Sequence, residues 1–145
     1  KYSNSIFCFT GDHFGRKFIN SKPNLYEKSS VAFIMYGKNI PIQKNDNPGS
    51  HIDIMPTLFE LIAPKDFEYY SFGKSMFDDK DFGLGYQKMI SKKELNCFPN
   101  DKKPETFIMD ASKKSFDKSL KKEHDKIMAL AWYYTMKGNN LKKKK

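Results

Sequence analysis

Two short apolar runs, each closed by a glycine, set the strongest limit on what this chain can build. Residues 6–9 read Ile-Phe-Cys-Phe and stop at Thr10-Gly11; residues 30–36 read Ser-Val-Ala-Phe-Ile-Met-Tyr and stop at Gly37. Runs of this length, rich in aromatic and β-branched side chains and bounded by turn residues, suit buried strands, the first read over residues 4–9. A third segment has another period. After Ser50, the residues Ile54, Leu58, Leu61 and Ile62 recur at helical spacing, and Ala63-Pro64 ends the pattern. Strands and a helix in this order suit an α/β fold.

Local signals fill in the rest. Ser50 is placed to cap the helix of residues 50–62, with Asp53 at the reciprocal capping-box position. Pro56 fits the first turn of a helix that begins just before it, which moves the cap toward Asp53 or Met55. Asp53 is therefore expected to be a cap or a loop-holding partner rather than a ligand. Residues 14–28, broken by Pro23, read as loop. So do residues 39–50, with a short edge strand at 40–43. Residues 67–77 form an aromatic-rich surface loop leading to Gly73-Lys74-Ser75. Residues 82–98 suggest a hairpin or irregular strands, and residues 107–110 one more strand. A last helix is expected over residues 115–137, with Leu120, Ile127, Leu130, Ala131 and Tyr134 on its apolar face and Gly138 at its end. His124, on that helix, is expected at the surface. The reading is one domain over residues 1–138, followed by a lysine-rich tail at 139–145.

A chain of 145 residues with 39% hydrophobic content can bury a real core. Its net charge of +9 comes from 26 basic and 17 acidic residues. That excess does not point to nucleic acid. The lysines fall in solvated stretches such as Lys113-Lys114, Lys121-Lys122 and Lys142 to Lys145, with no arginine-rich stripe or repeated aromatic-basic platform. Cys8 and Cys97 are too few for a disulfide scaffold or a zinc ribbon, and Cys8 reads as a small core residue. No apolar run approaches the roughly 20 residues of a membrane span, and no signal-peptide pattern is present. A start without methionine, directly before a core strand, reads as the middle of a domain.

The chemistry concentrates where the first strand ends. Asp12 and His13 supply an oxygen and a nitrogen donor at the carboxyl end of a strand, where open α/β sheets hold their ligands. That pair suits Zn²⁺ or Mn²⁺ acting on an anionic ester. Arg16, the only arginine in the chain, lies three residues on, and its planar fork suits phosphate or sulfate. Asp-His pairs also arise by chance, Thr-Gly-Asp is ordinary turn chemistry, and a salt bridge to a loop carboxylate would equally occupy Arg16. His51 sits on the first turn of its helix, where histidines are often partly exposed packing residues.

Three segments in order resemble one family. They are Phe9-Thr-Gly-Asp-His13, then Ser30-Val-Ala-Phe-Ile-Met-Tyr-Gly37, then Ser50-His-Ile-Asp-Ile-Met-Pro-Thr-Leu-Phe-Glu-Leu61. Together they look like the C-terminal part of the sulfatase domain of the alkaline phosphatase superfamily, nearest the lipoteichoic acid synthase and phosphoglycerol transferase branch. Phe72-Gly73-Lys74-Ser75 resembles the G-x-S segment that commonly follows. The likeness covers residues 5–77 well and the remainder weakly. Ala32 departs from it, since the family usually has proline there.

The resemblance implies part of an alkaline-phosphatase-like α/β sandwich, a mixed sheet flanked by helices, and a metal-dependent sulfatase-like hydrolase, or a phosphoglycerol- or phosphoethanolamine-type transferase. Its divalent metal (Zn²⁺, Mn²⁺ or Ca²⁺) would be held by Asp12 and His13. Arg16 and His51 would contact a sulfate or phosphate ester, lipid-linked or on a glycan, unless His51 serves a second metal. The family's nucleophile and a further acidic ligand come from an upstream segment that has no counterpart here. The resemblance thus implies a missing N-terminal portion, a parent anchored in a membrane with this domain outside the cytoplasm, and an isolated chain without catalysis. A degenerate non-catalytic fragment and a basic interaction module are the alternatives.

Overall fold

Six strands, all paired antiparallel, and three α-helices make up the part of the chain that a computed structural model describes, namely residues 2–15, 21–109 and 118–137. The architecture is mixed α/β with two separate antiparallel sheets. Arg16, Gly138 and the segment 139–145 lie outside the described residues. The chain divides into two compact units, residues 1–44 and 45–145.

In the first unit, strands β1 (Ile6–Thr10) and β2 (Phe33–Gly37) pair antiparallel from Ile6 opposite Gly37 to Thr10 opposite Phe33. Both expected strands are present. Their surroundings are not the expected ones. A two-stranded ribbon has two faces and little to cover them. Phe9, Ile34 and Tyr36 are exposed, and so is Cys8, which corrects its placement in a core. The segment between the strands, read as loop, contains the short helix α1 (Leu25–Ser29). A complete capping box starts it. Glu27 N–H donates to Asn24 Oδ1 at 2.9 Å, and Asn24 N–H donates to Glu27 Oε2 at 2.7 Å. No edge strand forms at residues 40–43, where Ile42 is fully exposed.

The second unit holds helix α2 (Ile54–Ile62), entered through a 3₁₀ turn at His51–Asp53. The sequence there predicts one continuous helix. The tighter first turn lets Asp53 N–H reach Ser50 C=O at 3.0 Å while the Asp53 carboxylate accepts Ser50 N–H at 2.8 Å. Strands β3 (Phe82–Gly85), β4 (Lys88–Ser91), β5 (Glu94–Cys97) and β6 (Glu105–Ile108) follow as a meander in sequential order. Helix α3 (Lys118–Lys137) comes last.

Leu84, Met89, Leu95, Cys97 and Phe98 form the buried apolar core of this unit. Asn96 is fully buried among them and satisfied. Its amide donates to Glu94 Oε1 at 2.8 Å, and its carbonyl accepts Thr106 O–H at 2.7 Å. Two glycines are required by close backbone approach. A Cβ on Gly73 would lie 2.0 Å from Ile52 O, and one on Gly83 would lie 2.8 Å from the Gly49 carbonyl carbon.

Candidate functional site

Asp12 and His13 occupy the turn that leaves β1, and the local backbone orients both side chains. His13 N–H donates to Asp12 Oδ1 at 2.9 Å, which leaves Oδ2 directed elsewhere. His13 Nδ1 lies 2.9 Å from Phe14 C=O. A carbonyl can only accept, so Nδ1 donates to it, and Nε2 is the ring nitrogen left to face Asp12. Nε2 and Asp12 Oδ2 face each other at 3.4 Å. Two donors bound to one tetrahedral ion at about 2.0–2.1 Å stand roughly 3.3 Å apart. The pair therefore has the spacing of two adjacent ligands. The carbonyl bond on the far side of the imidazole is the partner that metal-bound histidines usually have.

The pair is open to solvent, with the side chains of His13 and Asp12 75% and 87% exposed. No group of three or more His, Cys, Asp or Glu side chains is placed to hold a metal among the described residues. The donor chemistry fits one edge of a coordination shell and no more than that. Arg16 lies outside the described residues. His51 belongs to the second unit and is exposed on the 3₁₀ turn, its carbonyl accepting the N–H of Ile54.

What holds the His51 turn is better defined than what His51 touches. Asp53 is 3% exposed and acts as a hub. Its carboxylate accepts the N–H groups of Ser50 at 2.8 Å and Lys74 at 2.9 Å, and pairs with Lys80 Nζ at 2.9 Å. Asp53 is thus the loop-holding cap expected from the sequence. Thr57, fully buried one turn on, donates to Asp53 C=O at 2.6 Å and accepts Met76 N–H at 2.9 Å. Ser50 Oγ donates to Leu84 C=O at 2.5 Å. The segments 50–61 and 72–75, singled out separately in the sequence, are thereby fastened to one another and to β3. Asn45 and Asn47 add side-chain bonds to Met76 C=O at 2.7 and 3.2 Å.

His124 corrects a reading. It is 4% exposed, not a surface residue. Nε2 lies 3.2 Å from Gly85 C=O, Nδ1 lies 3.4 Å from Asp125 Oδ1, and the ring packs on Phe98 with centroids 5.0 Å apart. The missed signal was its position between Leu120 and Ile127 on one helical stripe, both half-buried. Of the other residues assigned to the apolar face of α3, Ala131 is half-buried, whereas Leu130 and Tyr134 are exposed.

Beside His124 opens a cleft of about 390 Å³, lined by Tyr86, Phe98, Lys121 and Asp125 among others. Its charges satisfy one another. Lys121 Nζ donates to Asp125 Oδ2 at 2.5 Å, and that bond, with His124 as a lesser contributor, holds the Asp125 carboxyl below its ordinary value. No family model, curated protein or solved structure matches this chain.

Proposed function

We propose that this chain is the C-terminal part of a metal-dependent sulfatase-like hydrolase or phosphoglycerol-type transferase acting on sulfate or phosphate esters. In this reading the mixed α/β architecture is a portion of an alkaline-phosphatase-like sandwich. One observation carries the proposal. Asp12 Oδ2 and His13 Nε2 lie 3.4 Å apart, close to the separation of two ligands on one ion, with Nδ1 engaged by the Phe14 carbonyl. The ordered resemblance of segments 9–13, 30–37 and 50–61 to that family supports it.

Asp12 and His13 would hold the divalent ion, which when bound would neutralise ester oxygens and acidify a hydroxyl nucleophile. Arg16 would bind the ester's non-bridging oxygens through its guanidinium; for His51 a substrate contact rests on the resemblance alone. The Asp53 hub fixes the turn that carries His51. No candidate nucleophile is assigned to this chain, so its residues would bind and orient rather than form a covalent intermediate.

Metal titration followed by NMR of the three histidines tests the reading. Zn²⁺ or Mn²⁺ should perturb the ring protons of His13 before those of His51 and His124, with weak affinity because only two ligands are present. Asp12→Ala should weaken that response at least tenfold. His13 resonances that stay fixed while metal binds elsewhere would remove the proposal. The 145-residue chain alone should not turn over aryl sulfates or phosphates, and turnover lost in Asp12→Ala would overturn that expectation.

A further inference from the structure

Helix α3 changes character along its length. Residues 118–126 are crowded with charge, whereas Ile-Met-Ala-Leu-Ala-Trp-Tyr-Tyr-Thr-Met, residues 127–136, contains none. Ten helical residues extend about 15 Å, well short of the roughly 20 residues needed to cross a bilayer. A run of that length belongs in a core or along an interface, and this one is not in a core. Trp132 is 68% exposed, Met136 67%, Tyr133 54% and Leu130 42%. Tyr134 is exposed too, its ring 6.1 Å from that of Phe72, so an exposed aromatic of the loop before β3 joins the same patch.

Charge identifies the surface that would cover it. Helix α3 carries five lysines against one glutamate and one aspartate. Lys126 and Lys137 bracket the apolar run, and the sequence continues to Lys142, Lys143, Lys144 and Lys145. Tryptophan and tyrosine gather at the headgroup level of bilayers, and adjacent lysines favour anionic lipid. The combination of exposed aromatics and flanking lysines is what an interfacial helix presents.

We propose that residues 127–137 of α3 form an interfacial anchor that lies on an anionic lipid surface. The apolar and aromatic side chains enter the acyl boundary, and the neighbouring lysines engage the headgroups. This inference does not depend on the metal site.

Trp132 is the chain's single tryptophan, so its emission reports the patch directly. Adding phosphatidylglycerol-containing vesicles to the full chain should shift that emission to the blue and bring it within reach of bromolipid quenchers. Pure phosphatidylcholine should give little shift, and 1 M salt should reverse most of it. Lys126 and Lys137 both replaced by glutamine should weaken binding by over tenfold, at about fivefold per lysine near the surface. Tyr133→Glu with Met136→Glu should abolish the shift while Trp132 remains as reporter. Circular dichroism and thermal unfolding of the double variant confirm an unaltered fold. An unchanged emission on anionic vesicles overturns the proposal. So does an equal shift with single-stranded DNA, which would assign the face to polyanions. Emission already blue without vesicles, in a chain that sediments as a dimer, would assign it to a second copy.

Discussion

The carboxylate of Asp53 and the ammonium of Lys80 lie 2.9 Å apart, and each side chain is only 4% exposed. Neither charge is left with water to solvate it. The remaining acceptor capacity of Asp53 is taken by two backbone N–H groups, and Lys80 Nζ also donates to Lys74 C=O at 3.3 Å. The arrangement ties the entry of α2 to the loop before β3 with charge-assisted bonds.

Removing one partner of such a pair strands the other. Lys80→Met should lower the stability of the second unit by about 3 kcal/mol, because the two N–H donors still solvate Asp53 in part. Asp53→Ala should cost more, since it leaves a buried ammonium and orphans both donors. Denaturant unfolding compares the two variants. Equal midpoints for Lys80→Met and the wild type would show that the pair contributes nothing.

Thr57 offers a sharper separation of packing from hydrogen bonding. Valine has nearly the same shape, yet Thr57→Val leaves the N–H of Met76 without its acceptor. A loss of about 1–3 kcal/mol is expected, the cost of an unsatisfied buried donor. Amide hydrogen exchange should quicken at Met76 in particular. Unchanged protection there would mean that the hydroxyl does not hold the loop.

Asp125 makes the acid side of the stability profile testable. Its carboxyl titrates below the ordinary value, chiefly because Lys121 donates to it. A depressed folded-state value means that the ionised form is stabilised by folding. That contribution is complete above the unfolded carboxyl value and disappears as pH falls through the folded one. The pair is about half exposed, so the effect should be small and reduced by salt. Lys121→Gln should raise the Asp125 titration midpoint measured by carboxyl NMR. An unmoved midpoint would discount the pair.

Much of the secondary structure was legible in local pattern. The runs at 6–9 and 30–36 announced β1 and β2, and the Ser50–Asp53 relation announced the cap. The hairpin expected over residues 82–98 is a three-strand stretch of the meander, and the late helix is present from Lys118. Helix α1 escaped notice because five residues display no period, although Asn24 and Glu27 spell a capping box. At the candidate site, the adjacency of Asp12 and His13 was visible in the sequence. Which ring nitrogen faces Asp12 was not, since it depends on where the Phe14 carbonyl points.

By itself the sequence determined where β1, β2 and the two longer helices lie, and which two donors stand side by side. Those properties follow from side-chain period, turn chemistry and capping, all of which act within a few residues. Burial was decided only by tertiary structure. His124 is interior because the Gly85 carbonyl, 39 residues away, meets its ring nitrogen. Cys8 is exposed on the β1–β2 ribbon although its run is apolar. Lys80 is interior because Asp53 is there to receive it. Solvation of a polar group depends on what a distant part of the chain brings to it; the stripe of Leu120, His124 and Ile127 marks only which face of α3 turns inward.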